Sequence, residues 1–395
     1  MAPVWITRAT LTNAAGTGLA ANWVALRDET SGLKPCDFKS IALDTWVGRV
    51  PGLEETPLPE PLARFDSRIH RLIRLGLEQD QFAEAVRVAQ ARYGKHRVGL
   101  IFATSTSGVL ETEMAYRHRD KAGRLPQSFR YQTVQNTFSG AHFIREYLAL
   151  EGPLLTLSTA CSSSAKAFAS ASRWIATDIC DAVIVGAADS LCGTTLYGFH
   201  SLGLVAATPC QPFGETRSGI SIGEGAGFAL LERSPHNDRD PVLLGYGESS
   251  DAFHMSTPHP EGLGAKIAMS ESIERSGLLA HQIDYVLLHG TGTQANDLAE
   301  DLAVFSICGA QTPCSSIKGL MGHTLGVAGI TNVLMGMLCL KESWMPKTFM
   351  TQTLDPRLKS RVLTESTSKN LDFILCNAFG FGGSNCSLVI GRRPV

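Results

Sequence analysis

The run Thr159-Ala160-Cys161-Ser162-Ser163-Ser164 sets a thiol between an apolar segment and a stretch of helix formers. A cysteine at the start of a helix meets free backbone N–H groups and the positive end of the aligned peptide dipoles. Both favour thiolate, the nucleophilic form. The competing reading is a buried structural thiol. In His289-Gly290-Thr291-Gly292-Thr293 an imidazole leaves an apolar run and enters a glycine-rich turn, with hydroxyls beside it for a polar ligand. The alternative there is a core histidine capped by a turn. Gly322-His323-Thr324-Leu325-Gly326 opens a Gly- and Ala-rich helix, where positive potential keeps an imidazole neutral. Lys318, in Ser316-Ile317-Lys318, is by itself an ordinary lysine. The glycines of Gly380-Phe381-Gly382-Gly383 imply close backbone approach to another group. No Lys-Ser/Thr follows them, and neither they nor the glycines near residues 105–108 and 219–227 fit a nucleotide-binding template.

Something must hold these residues in place. Residues 97–102, 154–159, 182–185 and 285–288 are short, apolar and bounded by turn residues, as buried strands are. Residues 165–175 and 265–275 carry helix formers at helical spacing. The alternation predicts an α/β fold with helices covering sheet. Cys161 and His289 then fall at the carboxyl ends of strands, where α/β sheets take their ligands. The polar stretch 234–240 marks an internal boundary. Residues 1–233 form a half with the cysteine, and residues 241–395 a half with both histidines. Each half has a strand, a reactive residue and then small residues, which hints at two similar units.

Length and composition narrow the rest. The chain has 395 residues, 44% hydrophobic and 18% charged, and a formal net charge of −2. That fits a soluble globular protein and argues against a nucleic-acid binder. None of the 10 cysteines forms a CxxC pair and no Cys/His spacing matches zinc, so no metal is expected. They read as reduced thiols of a cytoplasmic protein. The apolar segment 327–340 is too short and mixed to span a membrane.

TACSSS, HGTGT, SIK…GH and FGFGGSN, with PF…R.G…GEGAG from Pro212 and DAFHMSTP from Asp251 between the first two, resemble the β-ketoacyl-[acyl-carrier-protein] synthases of the thiolase superfamily, elongating type. The motifs stand in the family's order along nearly the whole chain. The resemblance implies a thiolase-like fold, two α/β halves stacked as an αβαβα sandwich. It implies that Cys161 accepts the acyl group and that His289 and His323 drive decarboxylation. Lys318 and Glu300 become a supporting charged pair. Phe381 becomes an aromatic gate whose backbone N–H joins that of Cys161 as an oxyanion hole. Ser256, Thr257, Thr291 and Thr293 match contacts to a pantetheine arm, and Thr106 and Phe199 the acyl pocket. Gly214, Ile220 and Ser384 stand where Asp, Phe and Thr are usual, at positions that look structural. The TSTSG run at 104–108 is closer to synthases of aryl-polyene or polyketide-like pathways.

The implied reaction is a decarboxylative Claisen condensation of an acyl chain on Cys161 with malonyl-carrier protein, in fatty-acid or polyene/polyketide-like elongation. No cofactor is bound, and 4'-phosphopantetheine arrives on the acyl carrier protein. That carrier is the expected partner, docked on basic residues such as Arg64, Arg68 and Arg124. A homodimer is expected, or a heterodimer with a related ketosynthase-like subunit, with segment 104–116 lent to the partner's pocket. The competing readings are a thiolase-type acyl-CoA condensing enzyme, which needs a second cysteine in a CxGG pattern absent here, and a chain-length-factor subunit, which lacks the nucleophile.

Overall fold

Strand formers at the anticipated places pair into a 12-stranded sheet in the computed structural model, which describes residues 1–38 and 41–392. Its principal strands in the first half are β1 (Val4–Asn13), β2 (Val98–Ala103), β3 (Leu154–Leu157), β4 (Ala182–Asp189) and β5 (Gly225–Glu232). In the second half they are β6 (Val242–Ser250), β7 (Tyr285–Leu287), β8 (Pro313–Ser315), β9 (Phe373–Gly380) and β10 (Ser384–Gly391). The first half runs β3-β2-β4-β5-β1 and the second β8-β7-β9-β10-β6. Counted within its own half, each is the order third, second, fourth, fifth, first. The pairing senses also match, with the first two contacts parallel and the last two antiparallel. A short antiparallel contact, Val4 with Leu243 and Trp5 with Val242, joins the halves.

Helices cover both faces. The outer layer of the first half holds α1 (Arg68–Leu77), α2 (Phe82–Tyr93) and α4 (Ser139–Tyr147), packed on β2, β4 and β5 through Leu72, Phe82, Phe143 and Phe228. Between these helices in the chain, α3 (Val109–Arg117) lies near the site. The next two are α5 (Ser163–Ala176) and α6 (Gly193–Ser201), and the outer layer of the second half uses α7 (Leu263–Ser276) and α8 (Gln294–Cys308). The last is α9 (Ala328–Glu342). Helices α5 and α9 form the middle layer, their apolar residues merging into one core with both half-sheets. A helix apolar on all sides is stable only when covered all round. So the apolar stretch near residue 327, which extends as helix over Leu325–Glu342 and is 83% buried, is the centre of the molecule. The two middle helices touch closely at Gly329, where a Cβ would lie 2.5 Å from the backbone nitrogen of Ala165. Their contact sets Cys161, just ahead of α5, beside His323, in the turn that leads into α9.

Candidate active site

The turn before α5 bends sharply at Ala160, whose φ of 53° is left-handed. The small hydroxyl residues of the motif hold that bend. Ser162 Oγ donates to the Thr159 carbonyl at 2.9 Å, and the Thr159 N–H donates to Ser163 Oγ at 2.8 Å. Cys161 is thereby held just ahead of the helix with its thiol turned inward, 5% exposed. The backbone N–H groups of Phe381 and Cys161 itself both act on the sulfur and favour its anion. Burial outweighs them and pushes the thiol up to about 11. Loss of water thus works against the thiolate expected from the sequence, while Lys318 and the two N–H groups work for it.

His323 Nε2 stands 3.1 Å from Cys161 Sγ. Its other ring nitrogen, Nδ1, accepts the N–H of Leu325 at 3.2 Å. A nitrogen that accepts carries no proton, so the neutral ring keeps its proton on Nε2, facing the sulfur. His289 is arranged alike. Lys318 Nζ donates to the His289 carbonyl and lies 3.4 Å from His289 Nδ1. The ammonium has no lone pair, so Nδ1 accepts and Nε2 again holds the proton. The rings meet edge to face with centroids 5.2 Å apart. Burial first, then Lys318, holds both imidazoles well below their ordinary range, so both stay neutral. Cys161, His289 and His323 offer atoms within 4.8 Å of one another, a set that suits a soft metal by type alone. The two occupied Nδ1 atoms leave protonated Nε2 atoms facing the sulfur, and these are donors rather than metal ligands.

Glu300 lies under the His289 turn. Its carboxylate accepts the N–H groups of His289 and Gly290, both at 2.7 Å, and the amide of Asn377 at 3.1 Å. Burial raises it to about 7. Asp297 accepts from Thr291 and Gly292 in the same turn. Lys318 is also buried and lowered to about 8.

Two cavities meet at Cys161. One, of about 280 Å³, is lined by His289, His323, Thr291, Thr293, Ser256 and Thr257. The other, of about 390 Å³, is lined by Ser105, Thr106, Thr194, Thr195, Leu202 and Leu325. Cys161, Phe199 and Phe381 border both, and the two phenyl rings lie 5.3 Å apart. The glycine-rich loop that carries Phe381 is fastened to the segment after β6, with the Gly382 N–H donating to the Met255 carbonyl at 2.7 Å. One thiol thus opens onto two spaces, with paired imidazole donors on one side and backbone N–H groups at the sulfur.

Residues 2–237 match the beta-ketoacyl synthase N-terminal domain and residues 241–352 the beta-ketoacyl synthase C-terminal domain. The chain belongs to the beta-ketoacyl synthase family. It is 28% identical over a 420-residue alignment to 3-oxoacyl-[acyl-carrier-protein] synthase 2 of Mycobacterium bovis, covering 98% of this chain and 97% of that one. To the enzyme of the same name from Rhizobium meliloti it is 32% identical over 298 residues, 71% of this chain and 70% of the relative. Among solved structures, one of a ketosynthase (ApeO) in complex with its chain length factor (ApeC) from Xenorhabdus doucetiae superposes with TM-score 0.90 at 36% identity, covering 99% and 98% of the two chains. A beta-ketoacyl synthase from Burkholderia phymatum superposes with TM-score 0.87 at 26% identity over 100% of both. The thiolase-like α/β fold anticipated from the motifs is the fold of these ketosynthases.

Four anticipated details change. Glu300 and Lys318 make no direct contact among the described residues: each holds a different part of the His289 turn, and Glu300 acts through space as the first of the charges that favour the Lys318 ammonium. Arg68 is no docking residue, since it is buried in a pair with Glu224, while Arg64 and Arg124 are exposed and pair with Glu146 and Asp120. Ile220 lines the cavity over the thiol and is not merely structural. Residues 104–106 of the segment assigned to a partner fold inward, onto the carboxylate of Asp189. Sequence reasoning also missed Asp189, Asp297 and Asn377 as holders of the site. Asp297 and Glu300 carried a signal, a pair of carboxylates on the helix that follows the His289 turn.

Proposed function

We propose that this chain elongates carrier-bound acyl chains by decarboxylative Claisen condensation with a malonyl thioester. The observation that carries the reading is the single thiol at the junction of two cavities, facing two Nε2–H donors. In the first half-reaction Cys161 attacks the acyl thioester carbonyl, the Cys161 and Phe381 N–H groups receive the oxyanion, and the carrier thiol leaves. The proton that Cys161 gives up goes to the departing carrier sulfur, so the carrier leaves as a thiol, while the Lys318 field and the two backbone N–H groups favour the anion on Sγ. The acyl chain lies in the cavity that Thr106 and Phe199 border. The malonyl arm lies in the other, beside Ser256, Thr257, Thr291 and Thr293.

In the second half-reaction CO₂ leaves and the thioester becomes an enolate. Its oxygen takes the Nε2–H groups of His289 and His323. The enolate carbon attacks the acyl-Cys161 carbonyl, the C–S bond breaks, and a β-ketoacyl thioester remains on the carrier. No bound cofactor takes part, since 4'-phosphopantetheine comes with the substrate. The partners are an acyl carrier protein and a second ketosynthase-like subunit. A heterodimer is favoured by the ApeO and ApeC complex, which is 36% identical at the matched chain. Ten free thiols suit a reducing cytoplasm. Intact-mass measurement of Cys161 after exposure to acyl-loaded carriers tests the assignment. A mass gain lost in Cys161→Ala supports it, and a gain kept in that variant contradicts it.

A further inference from the structure

Asp189 ends β4 with its side chain fully buried, and what offsets that burial is a set of hydrogen-bond donors. Oδ1 accepts from Thr104 Oγ1 at 2.9 Å, Thr106 Oγ1 at 2.8 Å and the N–H groups of Ser105 and Thr106, both at 2.7 Å. Oδ2 accepts one, the N–H of Gly326 at 2.7 Å. The two oxygens therefore serve two different walls of the site. Ser105 and Thr106 border the acyl cavity. Gly326 follows Leu325, whose φ of 53° is left-handed and whose N–H is the one that fixes the proton of His323. A side chain at Gly326 would sit 2.7 Å from Oδ2 and 2.8 Å from Ser105 Oγ, so the close approach requires glycine.

We propose that Asp189 is a positioning residue that ties the acyl-cavity wall to the turn that keeps the His323 proton on Nε2. Oδ2 holds Gly326 and so keeps Leu325 in a conformation that an L-residue adopts reluctantly. Released, Leu325 relaxes and its N–H leaves Nδ1. The imidazole then also takes the tautomer with a bare Nε2, which cannot donate to an enolate oxygen. The wall an acyl chain touches and the donor that decarboxylation needs hang on one carboxylate. This inference rests on the function proposed above.

Asp189→Asn tests it selectively. Its amide oxygen can keep the Oδ1 donors, which leaves its NH₂ facing the Gly326 N–H, donor against donor. Gly326→Ala presses on the same contact from the other side, and decides the matter if the first variant does not fold. The expected result for Asp189→Asn is self-acylation within about threefold of wild type, and for both variants CO₂ release from malonyl carrier down roughly tenfold or more and a ¹⁵N spectrum in which His323 shows mixed tautomers. Wild-type CO₂ release with an unchanged His323 spectrum would overturn the proposal. So would a parallel loss of both half-reactions with the His323 tautomer intact, which marks a merely structural residue. If the wild-type protein released no CO₂, the proposed function would fail, and the His323 spectrum would still judge Asp189.

Discussion

Ionising Cys161 means placing a charge where water is excluded, and Lys318 and two backbone N–H groups offset that cost only in part. Iodoacetamide should therefore modify half-exposed Cys36 before Cys161 at neutral pH, and peptide mapping over time gives the order. Cys161 labelling ahead of Cys36 would mean a thiolate at rest. The histidines give a second check. Both imidazoles are held neutral, so ¹⁵N shifts should report Nε2–H rings for His289 and His323 from about pH 5.5 to about pH 8, with no titration near the ordinary histidine value. The Lys318 cation is present below about 8 and lost above it. The charge that donates to His289 Nδ1 goes with it, so CO₂ release should decline as pH rises through that value. A rate still rising there would contradict the assigned role of Lys318. At this scale the reactive side chains were legible, because a Cys or His beside a strand end and a glycine turn is visible in a short window. Asp189 was not, since its donors at Thr104 and Gly326 are remote in the chain.

The middle helices decide whether thiol and imidazole meet. Strand and helix formers announced α5 directly, and the polar stretch at 234–240 falls between the last strand of one half-sheet and the first of the other. The crossing of α5 and α9 was not legible, because it depends on which turns of two apolar helices face each other. Gly329 is where it is set. Gly329→Val should force the helices apart, with an overpacking cost of about 1–3 kcal/mol. Urea unfolding measures that cost, and CO₂ release should weaken as the His323 donor moves away from the group bound at Sγ. Unchanged stability and rates would show that the helices do not need this contact. The matching strand order of the two half-sheets was likewise hidden, since similar folds need share only their burial pattern.

For the whole molecule, charge placement separates what holds the fold from what meets a partner. Arg68 belongs to the fold. Arg68→Ala strands Glu224 as a buried unpaired charge and should cost about 3–5 kcal/mol in a denaturation experiment. Exposed basic residues such as Arg64 and Arg124 remain for the carrier, whose Michaelis constant should rise with salt because surface charges are screened over about 8 Å at physiological ionic strength. The central claim is that the two half-reactions rest on different residues of one site, and a paired assay tests it most directly. Self-acylation by intact mass and labelled CO₂ release from malonyl carrier are measured on wild type, Cys161→Ala, His289→Ala and His323→Ala. Cys161→Ala should lose acylation and keep measurable CO₂ release. Each histidine variant should keep acylation, while CO₂ release drops by roughly 10² or more, as when a preorganised donor to developing charge is removed. Wild-type CO₂ release from both histidine variants would contradict the paired-donor account and return His289 and His323 to structural roles.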